Sequence, residues 1–460
     1  MFRIDGGRTP GYCDGLTRRN FLQLGVAGMG SVGMSRILQA KAATEAAGGT
    51  GKKTSVILLW LDGGPGHLDT YDMKPEAPSE FRGIWNPIPT NVPGFEMTEL
   101  FPLQAKIADK FSIVRSLQHG TGDHFAGAHR MLTTYPGTVS GANKDIQNPS
   151  IGSVAARMVG ARNPGMPPYV AVPYAASVGL RPGYFGSTYV GDQYNPFDTG
   201  SDPNKEGFKV QNLNVTKSLS LERLEDRRHL QKTLDNMQRK VDQSGMLAAM
   251  DEFDQQAFNL VTGPRAREAF DIDSEDPTLR DKYGRNSFGQ SVLLARRLVE
   301  AGTTFVTCHF GGWDHHWDLQ KGMDNYLPRV DSAVSALFND LTDRGLYDDV
   351  LVVMCGEFSR TPRMNNGGNG GPALSMGTPG RDHWGNAMFC LMGGGGVRGG
   401  QLIGATDRKG ERPIERVVGP GDIHHTIYRV LGIDPSVAFL DHSGRPVYSI
   451  GHGDVIDELL

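Results

Sequence analysis

The sequence contains few cysteines, and they are not spaced as metal ligands. Only four occur in 460 residues, at Cys13, Cys308, Cys355 and Cys390. None belongs to a Cys-x-x-Cys motif, so a zinc site built from thiolates is not expected. The last three lie in apolar runs that are typical of strands, and we therefore expect them to be buried free thiols.

The chain also lacks an excess of positive charge. Its 47 basic residues are outnumbered by 51 acidic residues, which gives a net charge of −4, and no concentrated basic stripe is present. Proteins that bind nucleic acid usually carry such a stripe, so no nucleic-acid partner is expected. The composition is otherwise ordinary for a globular protein, with 38% hydrophobic and 21% charged residues.

No apolar run is long enough to predict a stable membrane span. The best candidate, Leu24–Leu38, is too short and too rich in glycine. It follows the twin-arginine motif Thr17–Leu22 and precedes Ala40-Lys41-Ala42, a small-x-small cleavage site. This order predicts a twin-arginine signal peptide over residues 1–42, which the twin-arginine translocase would recognise during export of the folded protein. The predicted location is periplasmic or extracellular. The alternative is an N-terminal helix with a chance Arg-Arg pair.

Apolar runs alternate with segments of helical periodicity along the rest of the chain. Helical spacing precedes a glycine stop at Gly302, Gly345 and Gly432. Alternation of this kind predicts an α/β fold with a mostly parallel sheet and helices on both faces. The predicted strands are Thr54–Leu61, Phe111–Leu117, Thr303–Phe310, Asp349–Cys355 and Ala387–Met392.

Two regions depart from this alternation. Residues 75–103 are rich in proline and lack periodicity, which predicts a long covering loop. Residues from about 205 to 262 are highly charged and carry no strand signal, which predicts a helical insertion. That insertion could act as a lid, as an oligomer contact or simply as a solvated pair of helices.

Carboxylates and histidines follow almost every predicted strand. Asp62 ends the first strand, and His119–His124 follow the second. Gly311–Asp318 follow the third, Gly356–Arg363 follow the fourth, and Arg381–Trp384 precede the fifth. A single aspartate after a strand is usually a helix cap, but five coinciding loops favour a shared metal or acid/base site over coincidence. Mixed oxygen and imidazole ligands suit zinc or manganese, whereas carboxylates alone suit calcium or magnesium.

Four motifs give the chain a recognisable resemblance. They are WLDGGPGHLDTYDMKP, GGWDHHWDL, GEFSRTPR and GRDHWG. Their order resembles the alkaline phosphatase-like superfamily, which includes phosphatases, sulfatases and cofactor-independent phosphoglycerate mutases. More narrowly, the motifs resemble the twin-arginine-exported bacterial family known as domain of unknown function 1501, which is abundant in planctomycetes and often labelled sulfatase-like. The resemblance implies an alkaline phosphatase-like domain over residues 43–460.

The resemblance also implies site residues. Glu357 stands where the superfamily has an aspartate followed by a histidine, but Phe358 comes next in this chain, so one imidazole ligand is missing. One ion would be held by Asp314, His316 and His383, and a second by Asp62 and Glu357, with His124 as a further candidate. The implied cofactors are therefore one or two divalent metal ions, with zinc, manganese and calcium not distinguished.

The superfamily's nucleophile position falls on His124. This imidazole could be a metal ligand, a general base or a nucleophile, and the first two are favoured. Thr121 and Ser116 are the alternative hydroxyl nucleophiles. Three arginines are candidates to bind the substrate anion, whereas Arg130 is expected to form an ordinary surface contact. The anion-binding candidates are Arg360, Arg363 and Arg381.

These expectations combine into a metal-dependent hydrolase that acts on phosphate or sulfate esters of a small molecule or polysaccharide. A phosphoryl transferase or mutase on the same fold would need a hydroxyl nucleophile that the sequence does not place. A non-catalytic protein that binds an anion or glycan is the alternative from another class, and it would explain the missing nucleophile. A structural envelope protein is disfavoured because the chain has no repeats.

Overall fold

A computed structural model describes residues 54–137, 147–210, 263–366 and 378–460. The predicted signal peptide and nearly all of the predicted helical insertion lie outside these described residues. Both therefore remain predictions.

The architecture is an eight-stranded sheet covered by helices. The strands are β1 (Ser55–Asp62), β2 (Ser112–Leu117), β3 (Tyr169–Val172), β4 (Phe197–Asp198), β5 (Phe305–Gly311), β6 (Val350–Cys355), β7 (Met388–Gly394) and β8 (Leu402–Ile403). The sheet order is β8-β2-β7-β6-β1-β5-β3-β4, and every pairing is parallel except those of β7. The predicted mostly parallel α/β fold is therefore confirmed.

Helices cover both faces of the sheet because the central strands are apolar on both sides. The helices are α1 (His124–Thr133), α2 (Ile151–Val159), α3 (Pro264–Phe270), α4 (Pro277–Tyr283), α5 (Ser287–Ala301), α6 (Leu319–Asp343) and α7 (Pro420–Leu431). In β1, Ile57, Leu59 and Leu61 pack into one buried cluster, which contains residues of α3–α6. The intervening Val56, Leu58 and Trp60 pack into the other cluster, with residues of α1, α2 and α7.

Short elements complete the described chain. Four two-stranded pairs lie outside the main sheet: Pro87–Pro89 with Glu96–Thr98, Ser359–Arg360 with His383–Trp384, Ala405–Thr406 with Pro413–Glu415, and Ala438–Leu440 with Pro446–Tyr448. The 3₁₀ segments are Gln104–Lys110, Gly183–Phe185, Thr188–Val190, Asp192–Tyr194, Ile272–Ser274, Tyr347–Asp349 and Asp457–Leu459.

The five predicted strands are all present, with shifts of one or two residues at their ends. The predicted covering loop is mostly turns, but it also contains the strand pair Pro87–Pro89 and Glu96–Thr98. Three residues are too few to show a two-residue hydrophobic period, so the sequence pattern missed this pair. The predicted stops Gly302 and Gly432 both adopt the left-handed backbone that ends a helix, with φ values of 115° and 70°.

The structure bears on membrane spans and on the cysteines. Among the described residues, no helix is long and apolar enough to cross a membrane. Cys308, Cys355 and Cys390 are free and buried, which confirms the expectation of buried thiols.

Candidate metal centre

The candidate site lies at the edge of the sheet where the parallel strands end. There β1 ends at Asp62 and β5 at Gly311, and Glu357 follows the end of β6. Because β7 is antiparallel, the residues before it arrive at this same edge. The short pairing of His383 with Arg360 joins the loop after β6 to the loop before β7.

Two imidazoles meet one carboxylate at this edge. The Nε2 atoms of His316 and His383 each lie 3.0 Å from Oδ1 of Asp314. The two Nε2 atoms also lie 3.0 Å from each other. Three potential ligand atoms therefore converge on one point, with separations typical of atoms that share a metal ion.

A third imidazole approaches from α1. Asp123 caps this helix by accepting a hydrogen bond from the Ala126 backbone N–H at 2.9 Å, which places His124 in its first turn. Nε2 of His124 lies 3.3 Å from Oδ2 of Asp314. Ligand atoms of His124, Asp314 and His383 all lie within 4.8 Å of one another.

In each of the three imidazoles, the second ring nitrogen, Nδ1, contacts a hydrogen-bond acceptor of the protein. His124 Nδ1 lies 2.7 Å from Oε1 of Glu357, and His316 Nδ1 lies 2.7 Å from Oδ1 of Asp382. His383 Nδ1 lies 2.8 Å from the carbonyl oxygen of Gly122. These partners are acceptors, so each Nδ1 carries a proton, and in the neutral ring each Nε2 presents a lone pair to the centre. These Nε2 lone pairs and the Asp314 carboxylate would repel one another, and a cation placed between them would remove that repulsion.

Electrostatics favour a positive charge at this point. Burial of Asp314 opposes its ionisation, but hydrogen bonds from the three histidines and the charge of Arg360 hold its pKa well below the usual range. Burial also opposes protonation of His124, but hydrogen bonds to Asp314 and Glu357 outweigh it and raise the pKa of His124 to about 9. In the metal-free protein, a proton thus occupies the place that a metal cation could take.

Comparison with known proteins identifies the family. The sequence profile of the family described as "Protein of unknown function (DUF1501)" matches residues 53–460. The chain belongs to this family. None of the curated proteins compared with this DUF1501 chain matches it.

Several solved structures resemble the DUF1501 chain at low sequence identity. A protein in the alkaline phosphatase superfamily from Vibrio parahaemolyticus has 10% identity and a TM-score of 0.40, over 83% of this chain and 67% of that one. The PsFucS1 sulfatase from Pseudoalteromonas sp. has 14% identity and a TM-score of 0.36, over 88% and 72%. A magnesium-bound mutant of TAB5 alkaline phosphatase has 13% identity and a TM-score of 0.38, over 83% and 99%.

The other two predicted ligands of this DUF1501 chain lie outside the group of converging atoms. Both oxygens of Glu357 accept the Gly63 backbone N–H, at 2.9 and 3.1 Å, and Oε1 also accepts from His124. The carboxylate of Asp62 contacts Nε1 of Trp60 at 3.1 Å and Nε2 of His309 at 3.3 Å. Ligand atoms of Asp314, His316 and His383 lie together, whereas within the described residues Asp62, Glu357 and His124 do not form such a group. The metal-binding roles of both sets stay predictions.

The three predicted anion-binding arginines have different surroundings. Arg360 is buried, donates to the Gly64 carbonyl at 2.9 Å and contacts Oδ1 of Asp314 at 2.6 Å. Arg381 is fully buried and forms a two-point ion pair with Asp69, at 2.9 and 3.1 Å. The remaining contacts of Arg381 are with backbone carbonyls, so its guanidinium is engaged within the protein.

Arg363 is exposed, and we keep it as a candidate contact for an anion. Arg130, for which an ordinary contact was expected, donates to the His119 carbonyl at 2.6 Å.

The hydroxyl groups considered as nucleophiles have protein partners. Oγ1 of Thr121 accepts from the Asp123 backbone N–H at 3.2 Å. Oγ of Ser116, in β2, donates to the Arg416 carbonyl. These contacts leave His124 as the predicted catalytic residue that lies in the cluster.

Two contacts of predicted site residues were not predicted. Asp382, within the GRDHWG motif, holds His316, and His309 near the end of β5 contacts Asp62. Asp382 adjoins a predicted ligand, and that position could have indicated a role. His309 gave no such signal, because a lone histidine in an apolar strand is usually a core residue.

Proposed function

We propose that this chain is a metal-dependent hydrolase that acts on phosphate or sulfate esters, either of small molecules or of polysaccharides. The observation that carries this proposal is the convergence of three imidazole Nε2 atoms on Asp314, each ring being held through Nδ1. Imidazoles supported in this way are typical of metal ligands, because the outer partner fixes the tautomer.

The ligand set favours an ion of the zinc type. His124, His316, His383 and Asp314 would hold it with three nitrogens and one oxygen, a donor set that suits zinc and similar transition metals better than calcium or magnesium. A divalent ion held here would supply positive charge to neutralise the developing charge on the ester oxygens.

The protein's own residues prepare and expose the centre. The Asp314 side chain is 44% exposed, so an ester and water can reach the cluster from solvent. The guanidinium of Arg360 contacts the same Oδ1 of Asp314 that faces His316 and His383, and its charge helps to keep Asp314 ionised. Since Thr121 and Ser116 have other partners, we propose water as the attacking group rather than a side-chain hydroxyl.

A non-catalytic protein that binds an anion or glycan is the second candidate. The protein contacts made by Thr121 and Ser116 favour it, because a degenerate site need not retain a nucleophile. The two candidates share the metal centre and differ only in turnover.

The test is metal analysis of the purified full chain, followed by assays with aryl phosphate and aryl sulfate esters. We expect bound metal, loss of hydrolysis on chelation and recovery when zinc is restored. His316→Ala should lose both metal and activity, whereas His452→Ala, which alters an exposed histidine, should keep both. A wild-type chain without metal would refute the proposal, and a metal-loaded chain without turnover on any ester would favour the binding protein.

We also propose export by the twin-arginine translocase to the periplasm or the extracellular space. The motif around Arg18 and Arg19 and the small-x-small site Ala40–Ala42 support this. Replacement of both arginines by lysine should leave the precursor in the cytoplasm, as measured by cell fractionation. Unchanged export of the double variant would contradict it.

A further inference from the structure

We infer that Glu357 is a positioning residue that aims His124 at the metal centre, and that it does not bind the metal itself. This inference rests on the proposed metal site. It departs from the ligand role that the family resemblance implies for Glu357. The contacts, the burial and the neighbouring side chains of Glu357 carry it.

The backbone around Glu357 is packed closely against the end of β1 and against α1. A Cβ atom on Gly356 would lie 2.6 Å from Cδ of Pro65 and 2.7 Å from the Leu61 carbonyl oxygen. A Cβ atom on Gly127 would lie 2.8 Å from the Glu357 carbonyl oxygen. Glycine at these two positions therefore brings the loop after β6 against the end of β1 and against α1, the helix that carries His124.

The carboxylate oxygens of Glu357 already have partners. Oε1 accepts from the Gly63 N–H and from His124 Nδ1, and Oε2 accepts from the same Gly63 N–H. The Glu357 side chain is 0% exposed. A metal ion bound by Glu357 would have to enter a site without solvent, next to these hydrogen bonds, and the desolvation of the ion would oppose this.

The imidazole of His124 separates Glu357 from the centre. Nδ1 contacts Glu357 while Nε2 contacts Asp314, so the two carboxylates lie on opposite sides of the ring. Fixing the proton on Nδ1 leaves the Nε2 lone pair directed at the centre. This is the contact expected of a residue that acts through His124.

Phe358 fixes the same ring from its side. Its ring centroid lies 4.7 Å from that of His124 and 4.5 Å from that of His383, and it is stacked on the latter. The residue that replaces the superfamily's histidine thus packs against two of the ligand rings. Glu357 and Phe358 together restrict the rotation of His124, one by a hydrogen bond and the other by contact.

The test compares Glu357→Gln with Glu357→Met in the full chain, using competition with a chelator to measure zinc affinity. A Gln amide oxygen can still accept from His124 Nδ1, whereas Met cannot. We expect Gln to stay within about tenfold of wild type and Met to lower zinc affinity about 10–100-fold. Equal and complete loss of zinc in both variants would overturn the inference, because it would show that the carboxylate itself binds the metal.

A double-mutant cycle with His124→Ala provides a second test that does not depend on activity. If Glu357 acts only through His124, adding Glu357→Met to His124→Ala should cause no further loss of zinc affinity. An additive further loss would overturn the inference. In zinc-loaded wild type, ¹⁵N NMR should show His124 protonated at Nδ1, and a proton on Nε2 would contradict it. Failure of wild type to bind zinc would instead refute the proposed function, so the two failures are distinguishable.

Discussion

Two of the proposed ligands, His124 and His316, make the same contact in different surroundings. In each, Nδ1 lies 2.7 Å from a carboxylate oxygen, of Glu357 for His124 and of Asp382 for His316. Glu357 is 0% exposed, whereas the Asp382 side chain is 33% exposed. A buried carboxylate cannot be solvated when its partner is removed, whereas a partly exposed one can. We call Glu357 with His124 the inner pair and Asp382 with His316 the outer pair. The difference in burial indicates that the inner pair fixes the orientation of its imidazole more strongly than the outer pair does.

The elements that carry the two carboxylates explain the difference. Glu357 follows β6 in the middle of the sheet, and the Gly63 N–H at the end of β1 holds it. Asp382 lies in the loop before β7, where its backbone N–H donates to Oγ1 of Thr361 at 2.9 Å. The inner pair is thus anchored to the sheet and the outer pair to another loop.

The largest expected effect comes from removing the charge that both pairs face. Asp314→Asn takes away the carboxylate that meets all three Nε2 atoms. Zinc affinity should fall by more than the roughly 10–100-fold that is typical when an outer partner is lost. Chelator competition measures this, with Asp318→Asn as the control because it makes the same chemical change in the same loop. A variant with wild-type affinity would show that Asp314 is not a ligand.

The next effect tests the two pairs directly. Asp382→Leu should lower zinc affinity about tenfold, at the small end of the range for an outer partner, because water can replace the lost acceptor. Glu357→Met should lower it more. The measurement is zinc affinity by chelator competition in both variants. A larger loss in the Asp382 variant would reverse the comparison.

Only part of this arrangement could be predicted from the sequence. The runs of β1, β5 and β6 were visible because strands covered on both faces are continuously apolar. The short β3, β4 and β8 carry too few residues for such a signal. The β7 run was visible, but its antiparallel direction was not, because the direction of a strand depends on its partners.

The same limit applied to the candidate site. The sequence placed Asp314 and His316 after one predicted strand and His383 before another, and the rule that ligand sites form at the carboxyl edge of a parallel sheet was enough to group them. Which ring nitrogen faces the centre depends on a partner far away in sequence, as with Glu357 for His124. The ion pair of Arg381 with Asp69 is equally non-local, so Arg381 looked available for an anion.

A third prediction concerns a histidine whose imidazole contacts a backbone carbonyl instead of a carboxylate. His424 is buried, its Nε2 lies 2.8 Å from the Met131 carbonyl oxygen, and burial lowers its pKa to about 4. As the pH falls below about 6.5, the ordinary pKa of histidine, His424 becomes protonated in the unfolded chain. In the folded chain it becomes protonated only at lower pH. The free energy of unfolding should decrease as the pH falls from about 6.5 to 4, by about 3 kcal/mol from this group.

His424→Gln checks this expectation. Gln can donate to the Met131 carbonyl but cannot titrate, so the variant should lose less unfolding free energy over the same pH window. Urea unfolding at several pH values measures the difference. Parallel pH dependence in variant and wild type would contradict the assignment.

The smallest expected effect concerns a hydroxyl near His124. Thr121→Val removes an Oγ1 that accepts the Asp123 N–H at 3.2 Å. Turnover of aryl esters should fall less than about tenfold, with zinc content unchanged, since a loss of one such contact weakens only the helix start. A loss of about 10⁴-fold with metal retained would identify Thr121 as the nucleophile and reopen the transferase alternative.

The strand order has a consequence for the timing of folding during synthesis. β1 leaves the ribosome first among the eight strands, yet its neighbours are β5 and β6, which come from the second half of the chain. Its apolar residues must stay unpaired until Phe305–Gly311 and Val350–Cys355 have been made. Pairing between strands so far apart in sequence is slow, and it leaves apolar segments exposed to chaperones during synthesis. His383 arrives later still, so the proposed metal centre can form only near the end of translation. A route that exports folded protein would therefore have to wait for nearly the whole chain.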